Sequence, residues 1–397
     1  MNPGQDKWGW GTGIFPFSFG KYLCYISFLE NAYQQGVCFI KEIPIIQAIP
    51  SALKKKPEPG QPLGFGKIFT DYLFLLDYQK GKGWINARIE PYRPIPMDPA
   101  ALVLHYGQEA FEGLKAYRWP NGDIYLFRPR KNFERMNRSA KRLCMPELDV
   151  EFALEATKQL IRLEKDWVPS MPGSSLYIRP NMIANEAALG VQVSDQYLFY
   201  VMLGPVGAYY PQGFSPTQIY VSEKYIRAAR GGLGEAKTLA NYAHSLLAQE
   251  EAHEEGYNQV LWLDAIERKY VEEVGTSNIL FYIGDELVTP PLAGTILPGI
   301  TRDSVLHLAR SWEMKVSERM IGLEEVLHAL ETGKLKEAFA SGTAAVISPV
   351  GKLTYKGKEH LINQGKVGPL AQKLYDNIVG IQYGKIKDPF GWMEKAG

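Results

Sequence analysis

A segment dense in glycine and proline, residues 204–213, separates two long stretches of the chain and constrains its fold more than any other sequence feature. Glycine and proline interrupt helices and strands, and such segments often connect domains. The chain has 397 residues, which is more than a single small domain requires. We therefore predict a small α+β domain over residues 45–205, a linker over residues 206–217 and a larger domain over residues 218–397.

Residues 1–44 form a region with its own character. They are rich in Trp, Phe, Tyr and Gly without a steady helical or strand period, and a proline-rich stretch at 54–62 follows them. We interpret this region as an N-terminal extension, whose role the sequence leaves open.

The first half of the chain mixes strand and helix patterns. Two strands around Asn121-Gly122 form a predicted hairpin, because Asn-Gly readily adopts the positive φ values of a tight turn. A short helix is expected over residues 106–114, with Gly113 as its stop. Helices are also predicted over residues 132–143 and 151–165, and strands over residues 175–184 and 196–203.

The second half shows a similar mixture. Strands are predicted at 218–222, 259–264, 270–275, 278–283 and 286–290, and helices at about 240–255, 300–311, 323–332 and 367–383. The sequence therefore predicts a fold of the mixed α+β or α/β class.

Charge and composition limit the partners of the chain. Its 44 basic and 43 acidic residues give a net charge of +1, which provides no basic field for nucleic acid or an anionic membrane. The three cysteines and six histidines lack the spacing of a metal site, and the cysteine usage fits a reducing compartment. No apolar run approaches the roughly 20 residues that span a bilayer. We therefore expect a cytoplasmic protein with small-molecule partners and no bound metal.

The segment around Lys237 gives the first indication of chemistry. Gly231, Gly232 and Gly234 precede the lysine and disfavour a helix there, and Tyr242 follows it closely. A lysine on such a loop can approach a cofactor, lose part of its hydration and act as a nucleophile, as Schiff-base chemistry requires. A solvated surface lysine is the simpler alternative for this motif taken alone.

Three motifs farther along the chain can bind charged groups. Gly299 precedes a predicted helix whose first amides can bind an anion, although an ordinary capped helix has the same pattern. Glu272 and Glu273 lie at a strand end, where one carboxylate can bind a pyridinium N–H or simply be solvated. The small-residue turn at 340–345 can bind a carboxylate or merely reverse the chain.

Three arginines, Arg128, Arg179 and Arg227, lie in or beside predicted strands of aromatic and apolar residues. Each guanidinium can pair with a phosphate or a carboxylate. Taken singly, each can also be an ordinary surface charge.

Seven sequence strings give these motifs a common interpretation. Together they closely resemble the branched-chain amino acid aminotransferases, which are pyridoxal 5'-phosphate enzymes of fold type IV with two domains. The resemblance extends from about residue 54 to residue 384. The strings are Leu-Gly-Phe-Gly-Lys at 63–67, His-Tyr-Gly-Gln-Glu-Ala-Phe-Glu-Gly at 105–113, Leu-Phe-Arg-Pro at 126–129, Ser-Leu-Tyr-Ile-Arg-Pro at 175–180, Val-Gly-Ala-Tyr at 206–209, Glu-Val-Gly-Thr-Ser-Asn at 273–278 and Ser-Gly-Thr-Ala at 341–344.

The resemblance implies a role for each residue of a cofactor site. Lys237 would carry pyridoxal 5'-phosphate, and Glu273 rather than Glu272 would face its pyridine nitrogen. The remaining cofactor residues would be Arg128 and the amides of Ile300 and Thr301 at the phosphate with Arg227 close by, Tyr242 at the phenolic oxygen, and Thr276 in the same shell.

The resemblance also implies a substrate site that is completed in a homodimer. The substrate carboxylate would meet Thr343 and Ala344, with Tyr106 and Arg179 nearby. The apolar pocket would be formed by Phe111, Tyr177 and Tyr209, and closed by Val191 of the partner subunit. One departure is clear: some animal members carry a Cys-x-x-Cys redox pair where this chain has residues 345–348, Ala-Val-Ile-Ser, so that redox switching is excluded.

The activity implied by the resemblance is transamination of leucine, isoleucine and valine with 2-oxoglutarate, which gives branched-chain 2-oxo acids and glutamate. Alternatives of the same fold are a D-amino acid aminotransferase and an aminodeoxychorismate lyase, and a non-catalytic cofactor-binding protein is an alternative of another class. The strings at 105–113 and 175–180 favour the branched-chain enzyme over the alternatives of the same fold. The sequence leaves open the direction of flux, the preference among the three amino acids and any assembly beyond a dimer.

Overall fold

The structure is a computed structural model that describes residues 43–397, except residue 59 and residues 208–212. Nearly all of the predicted N-terminal extension, and the predicted pocket residue Tyr209, lie outside the described residues. Residues 43–397 form one compact unit.

The described residues contain seven α-helices. In the described residues the α-helices are α1 (Leu102–Tyr106), α2 (Pro129–Arg142), α3 (Val150–Leu163), α4 (Leu239–Glu254), α5 (Ile300–Ser311), α6 (Leu323–Glu331) and α7 (Pro369–Gln382). Single 3₁₀ turns occur at Pro50–Ala52, Lys165–Trp167 and Asn363–Gly365. No helix in this part of the chain is long and apolar enough to cross a membrane.

The first sheet contains eight strands, all paired antiparallel. They are β1 (Tyr72–Gln79), β2 (Gly83–Pro91), β3 (Glu109–Phe111), β4 (Leu114–Arg118), β5 (Ile124–Phe127), β6 (Ser175–Ala184), β7 (Gln196–Val206) and the C-terminal β17 (Met393–Lys395). Their order is β17-β5-β4-β6-β7-β1-β2, with β3 paired to β6. The C-terminal strand therefore extends the first sheet beyond the predicted range of residues 45–205.

The second sheet contains nine strands and is mixed. They are β8 (Thr217–Val221), β9 (Gln259–Leu263), β10 (Val271–Val274), β11 (Ser277–Ile283), β12 (Glu286–Thr289), β13 (Lys315–Glu318), β14 (Leu335–Gly342), β15 (Val346–Tyr355) and β16 (Lys358–Leu361). Their order is β10-β9-β8-β15-β14-β11-β12-β13, with β16 on β15, and an additional β10–β11 pairing closes six of these strands into a ring.

One buried cluster joins the two sheets. Tyr117 and Phe127 of the first sheet pack with Leu280 and Phe339 of the second, and helices α5 and α7 complete the cluster. Burial of such large apolar side chains contributes about 1.5–3 kcal/mol each. The halves on either side of the predicted linker therefore share a core, which fixes the position of one sheet relative to the other.

Most of the predicted elements are present, and one is wrong. The hairpin around Asn121-Gly122 is confirmed as β4 and β5, and the helix predicted at 300–311 is α5. The helix predicted over residues 106–114 is wrong, because α1 ends at Gly107, which has a φ of 63°, and residues 109–111 pair with β6. Gly113 is not a helix stop either, because it lies between strands β3 and β4. A glycine is needed there because a Cβ would overlap the Tyr177 hydroxyl.

A buried carboxyl lies where α3 ends against β1. Glu164 accepts a hydrogen bond from the amide of Tyr72, and Asp71 lies beside it. Burial raises the pKa of Glu164 to about 7, and the neighbouring Asp71 charge acts in the same direction. The folded protein therefore binds a proton at Glu164 more tightly than the unfolded chain does.

This raised pKa predicts a pH-dependent loss of stability that Glu164→Gln should remove. As pH rises from about 4.5 to about 7, wild type should lose on the order of 1–3 kcal/mol of unfolding free energy relative to the variant, because ionised Glu164 is disfavoured in the folded state. Urea unfolding of both proteins across this range measures the difference. A difference that does not change with pH would contradict the prediction.

Candidate active site

The loop that carries Lys237 is held tightly by its surroundings. Gly234 passes so close to the carbonyl of Thr295 that a Cβ would overlap it, which explains a glycine at this place. Asn241 donates hydrogen bonds to the carbonyls of Leu233 and Ala236, both at 2.7 Å. The side chain at the start of α4 therefore fixes the loop that precedes it.

The backbone of Lys237 connects this loop to the first half of the chain. Its amide donates to the Ser139 hydroxyl at 2.8 Å, and its carbonyl accepts from the amide of Phe111 at 3.1 Å. These bonds reach α2 and β3, so the lysine lies where the two halves meet. Its position is therefore fixed by tertiary contacts.

The Lys237 amine has an aromatic environment. Its Nζ donates to the Tyr242 hydroxyl at 2.7 Å and lies 4.8 Å from the ring centroid of Phe111 and 5.1 Å from that of Tyr242. Aromatic faces stabilise a cation but exclude water from it. Lys237 and Tyr242 therefore form a hydrogen-bonded pair, and Phe111 lies against the same amine.

Glu273 is buried and fully engaged by donors. Its carboxylate accepts from the Leu297 amide at 3.0 Å, from the Asn278 amide group at 2.9 Å and from Arg227, with which it forms a buried ion pair. Burial raises the pKa of Glu273, and the Arg227 charge and the Leu297 amide act in the opposite direction.

Glu272 occupies a different environment from its neighbour. Glu273 lines a cavity together with Tyr242 and Thr276, whereas Glu272 lines a separate cavity with Arg230 and Thr295. Adjacent strand residues point to opposite faces, so this separation follows from β10 being a strand. Of the two carboxylates, only Glu273 lies with Tyr242.

Arg227 has two partners in the structure. Its guanidinium pairs with Glu273 and donates to the Gly234 carbonyl at 2.9 Å, and its expected place close to a phosphate stays a prediction. Its donors are therefore directed at the carboxylate and at the lysine loop. A buried carboxylate without such a partner would cost several kcal/mol.

The N-terminus of α5 is the place where the resemblance implies a bound phosphate. Gly299 is the N-cap, and a Cβ on it would overlap the Asn278 side chain, so the backbone comes unusually close here. The first amides of a helix, here those of Ile300 and Thr301, have no partner within the helix and lie at the positive end of its dipole. Both residues are buried.

Arg135, which sequence analysis missed, lies beside this helix terminus. It donates to the carbonyl of Pro298 at 3.0 Å and forms a two-pronged ion pair with Glu112, at 2.7 and 2.8 Å. Asn132 donates to the same carboxylate at 2.8 Å. The sequence signal that could have identified Arg135 was its position on the apolar face of a predicted amphipathic helix. Phe133 and Met136, which flank it on this helix, are fully buried.

Arg128, the arginine expected at the phosphate, contacts the first turn of α5 and donates to the Ile300 carbonyl at 3.4 Å. It donates to the Ser304 hydroxyl at 2.7 Å and to the Asp303 carboxylate, and it lies over the Trp392 ring. Arg128 and Arg135 both lie at the start of α5, and both have partners within the protein. Arg135 is therefore a second candidate cation for an anion at this place, besides the predicted Arg128.

Three of the predicted substrate residues cluster next to Lys237. Arg179 donates to the Tyr177 hydroxyl at 3.2 Å, and its guanidinium carbon lies 4.9 Å from the Phe111 ring centroid. The buried Nε of Arg179 has no partner among the described residues. An orphaned guanidinium N–H of this kind is a ready donor for a carboxylate.

The other predicted substrate residues that the structure describes lie in two separate places. Thr343 and Ala344 lie in the turn between β14 and β15, where the Lys115 ammonium donates a hydrogen bond to the Ala344 carbonyl at 2.7 Å. Tyr106 donates to the Leu189 carbonyl, and Val191, two residues farther on, is 85% exposed. No hydrogen bond in the described part of the chain joins Tyr106 or Val191 to the Lys237 cluster.

Comparisons with known proteins identify similar chains. The profile of the family described as amino-transferase class IV matches residues 109–353. Branched-chain-amino-acid aminotransferase 2 of Bacillus subtilis is 54% identical over 342 residues, which cover 86% of this chain and 94% of that protein.

Solved structures show the same architecture. The crystal structure of the Escherichia coli branched-chain amino acid aminotransferase superposes with a TM-score of 0.68 at 27% identity, covering 82% of this chain and 99% of that one. The branched-chain amino acid aminotransferase of Thermobaculum terrenum, solved in its PLP form, gives a TM-score of 0.66 at 27% identity, with 82% and 98% covered.

The two arginines can be distinguished by anion binding. Inorganic phosphate should raise the melting temperature of dialysed wild type and of Arg128→Met. It should raise the melting temperature of the double variant Glu112→Gln/Arg135→Met much less, because this variant lacks the cation beside the α5 amides. The double variant avoids leaving Glu112 buried and unpaired. Equal phosphate effects in wild type and the double variant would contradict the assignment to Arg135.

Proposed function

This chain belongs to the branched-chain aminotransferases of the class IV aminotransferase family, and we propose from this membership that it transfers the amino group of leucine, isoleucine or valine to 2-oxoglutarate. The products are the branched-chain 2-oxo acid and glutamate. The observation that carries the proposal is the Lys237 amine held by Tyr242, with Glu273 lining the cavity beside the same tyrosine.

The residues present fit pyridoxal 5'-phosphate. The cofactor needs an amine, a carboxylate for its ring nitrogen and an anion seat, which Lys237, Glu273 and the α5 terminus with Arg135 would supply. Tyr242 and Thr276 line the same cavity as Glu273 and complete the set. When bound, the cofactor supplies an electron sink for negative charge at the substrate Cα.

Arg227 and Glu273 form the electrostatic part of the site. Burial alone would favour neutral Glu273, and the Arg227 guanidinium opposes this by stabilising the carboxylate. A carboxylate at this place holds a proton on a ring nitrogen that faces it. Arg227 therefore positions Glu273 and favours its carboxylate form against the effect of burial.

Lys237 has two tasks in this mechanism. It would anchor the cofactor, and its amine would then act as a general base and acid, removing the proton from the substrate Cα and returning it at the C4′ carbon of the cofactor. The Tyr242 hydroxyl holds the amine at 2.7 Å and orients it for this transfer. The aromatic rings around it keep water from competing for the proton.

The substrate pocket must accept both an apolar and an acidic side chain. Phe111 and Tyr177 offer apolar faces, and burial of an isobutyl group between them is worth about 2–3 kcal/mol. The partnerless Nε of Arg179 suits the second carboxylate of 2-oxoglutarate or glutamate. A single pocket can therefore serve both substrates in turn.

The protein acts as a homodimer in this proposal. Several large apolar side chains are exposed in the single chain, namely Leu104, Tyr106, Leu189, Val191, Val193, Leu246 and Leu247. Where such side chains adjoin, they are typical of an interface. A second copy of the chain is its proposed occupant, and Val191 of the partner subunit would close the pocket.

Cysteine usage and net charge indicate the cell compartment. We place the protein in the cytoplasm because its three cysteines and its near-neutral charge fit a reducing, aqueous compartment.

Lys237→Ala should abolish amino transfer while leaving the fold intact, because the anchor and the proton carrier are lost together. The assay follows glutamate formation from leucine and 2-oxoglutarate, with Lys224→Ala, an exposed lysine, as the control. D-alanine should not be a donor for wild type, which separates the proposal from a D-amino acid aminotransferase. Substantial turnover by Lys237→Ala would overturn the mechanism.

Val191→Trp should raise the KM for leucine and leave cofactor absorbance nearly unchanged. The side chain is 85% exposed in one chain, so a larger residue affects the pocket only through a second copy. Steady-state kinetics together with sedimentation analysis measures both effects. A variant that dimerises and turns over leucine like the parent would show that Val191 does not reach the site.

A further inference from the structure

Lys115 is a buried cation with very little to stabilise it. It lies in β4 and is 7% exposed, and its Nζ donates to the carbonyl of Ala344 at 2.7 Å. It forms no ion pair with any residue between 43 and 397 that the structure describes. Burying an ammonium against a neutral carbonyl alone is costly, so a compensating negative charge is expected nearby.

The surroundings of Lys115 contain no free carboxylate to supply that charge. Tyr177 of β6 is its direct cross-strand neighbour, and Arg179 follows two residues later on the same face. Glu112, just before β4, is already paired with Arg135. The titratable or charged groups of β4 and its paired strands, besides Lys115, are Tyr117 and Arg118 of β4, Tyr125 of β5, and Tyr177 and Arg179 of β6, and the Glu112–Arg135 pair lies beside them.

The turn that Lys115 holds has a strained backbone. Residues 343–345 connect β14 to β15, and Val346 directly after them has a φ of 64°. Positive φ is a true outlier for a β-branched residue and costs about 1–3 kcal/mol. Such strain persists only where surrounding contacts impose it, and the charged hydrogen bond from Lys115 to Ala344 is one such contact.

We propose that Lys115 is a positioning residue of the substrate-carboxylate site. Its ammonium holds the Ala344 carbonyl and with it the turn of Thr343 and Ala344, and its charge is compensated when the carboxylate of the substrate binds there. The inference rests on the proposed function, because it takes the substrate to be a carboxylate bound at this turn. It adds a residue that sequence analysis did not single out.

The acid–base behaviour of Lys115 supports this role. Burial lowers the pKa of Lys115 to about 8. The group therefore carries its charge at neutral pH and loses it as pH rises through this value. A bound carboxylate would raise the pKa again, so binding through Lys115 must weaken at alkaline pH.

The test compares Lys115→Met with Lys336→Met in the holoenzyme. Lys336 lies in β14, the strand that leads to the same turn, but is exposed. The probe is 4-methylvalerate, a branched carboxylate without an amine, and cofactor absorbance with the melting temperature reports whether each variant is folded and loaded. At pH 7 Lys115→Met should bind the probe at least about tenfold more weakly than wild type, and Lys336→Met within about twofold.

Kinetics and pH separate positioning from a general structural role. Lys115→Met should raise the KM for leucine far more than it lowers kcat, because carboxylate binding is needed in both ground and transition states. The ratio of the variant and wild-type dissociation constants should shrink as pH rises above about 8, since wild type then loses the same charge. Lys115→Gln should behave like Lys115→Met.

Two outcomes would overturn the inference. One is a folded, loaded Lys115→Met that binds 4-methylvalerate as wild type does. The other is a weakening that stays constant from pH 7 to pH 9.5, which would indicate a structural effect without the charge. If wild type binds the probe with this pH dependence but does not transaminate leucine, the proposed function fails while the role of Lys115 in carboxylate binding stands.

Discussion

The buried ion pair between Glu112 and Arg135 ties together the parts of the molecule that form the site. Glu112 follows β3 of the first sheet, Arg135 belongs to α2, and Arg135 also holds the Pro298 carbonyl just before α5. Removing one partner from such a pair costs about 3–5 kcal/mol, because the other charge stays buried. The first sheet, the helix and the start of α5 are therefore held in one fixed arrangement around Lys237.

Four further charged side chains near Lys237 fall into two groups. Arg227 and Glu273 neutralise each other inside the protein, so they serve the structure of the site before any ligand arrives. Lys115 and Arg179 have only neutral hydrogen-bond partners, and Arg179 retains a partnerless Nε. Paired charges stabilise the fold, whereas unpaired buried cations are tolerated where an anionic ligand completes them. This division places the proposed substrate carboxylates on the Lys115 and Arg179 side.

Sequence analysis predicted the elements whose signals are local. The turn at Asn121-Gly122 and the helix at Ile300–Ser311 are present because turn residues and helix periodicity act over a few positions. The helix expected over residues 106–114 failed because pairing of residues 109–111 with β6 outweighed local pattern. Arg135 was missed for a similar reason: its value depends on Glu112 and Pro298, and neither contact is visible in the pattern of one helix.

By itself the sequence determined the mixed class of the fold and the lysine with its tyrosine five residues later, and by resemblance it predicted Glu273 rather than Glu272 at the cofactor. Only the tertiary structure decided which charges meet. Arg135 pairs with Glu112 across 23 residues and Arg227 pairs with Glu273 across 46, so Arg135 lies beside the start of α5 and Arg227 beside the Glu273 carboxylate. Local sequence specifies which charged side chains are present. Because burial makes an unpaired charge costly, each buried charge pairs with a partner that folding brings within reach, and that partner fixes its position.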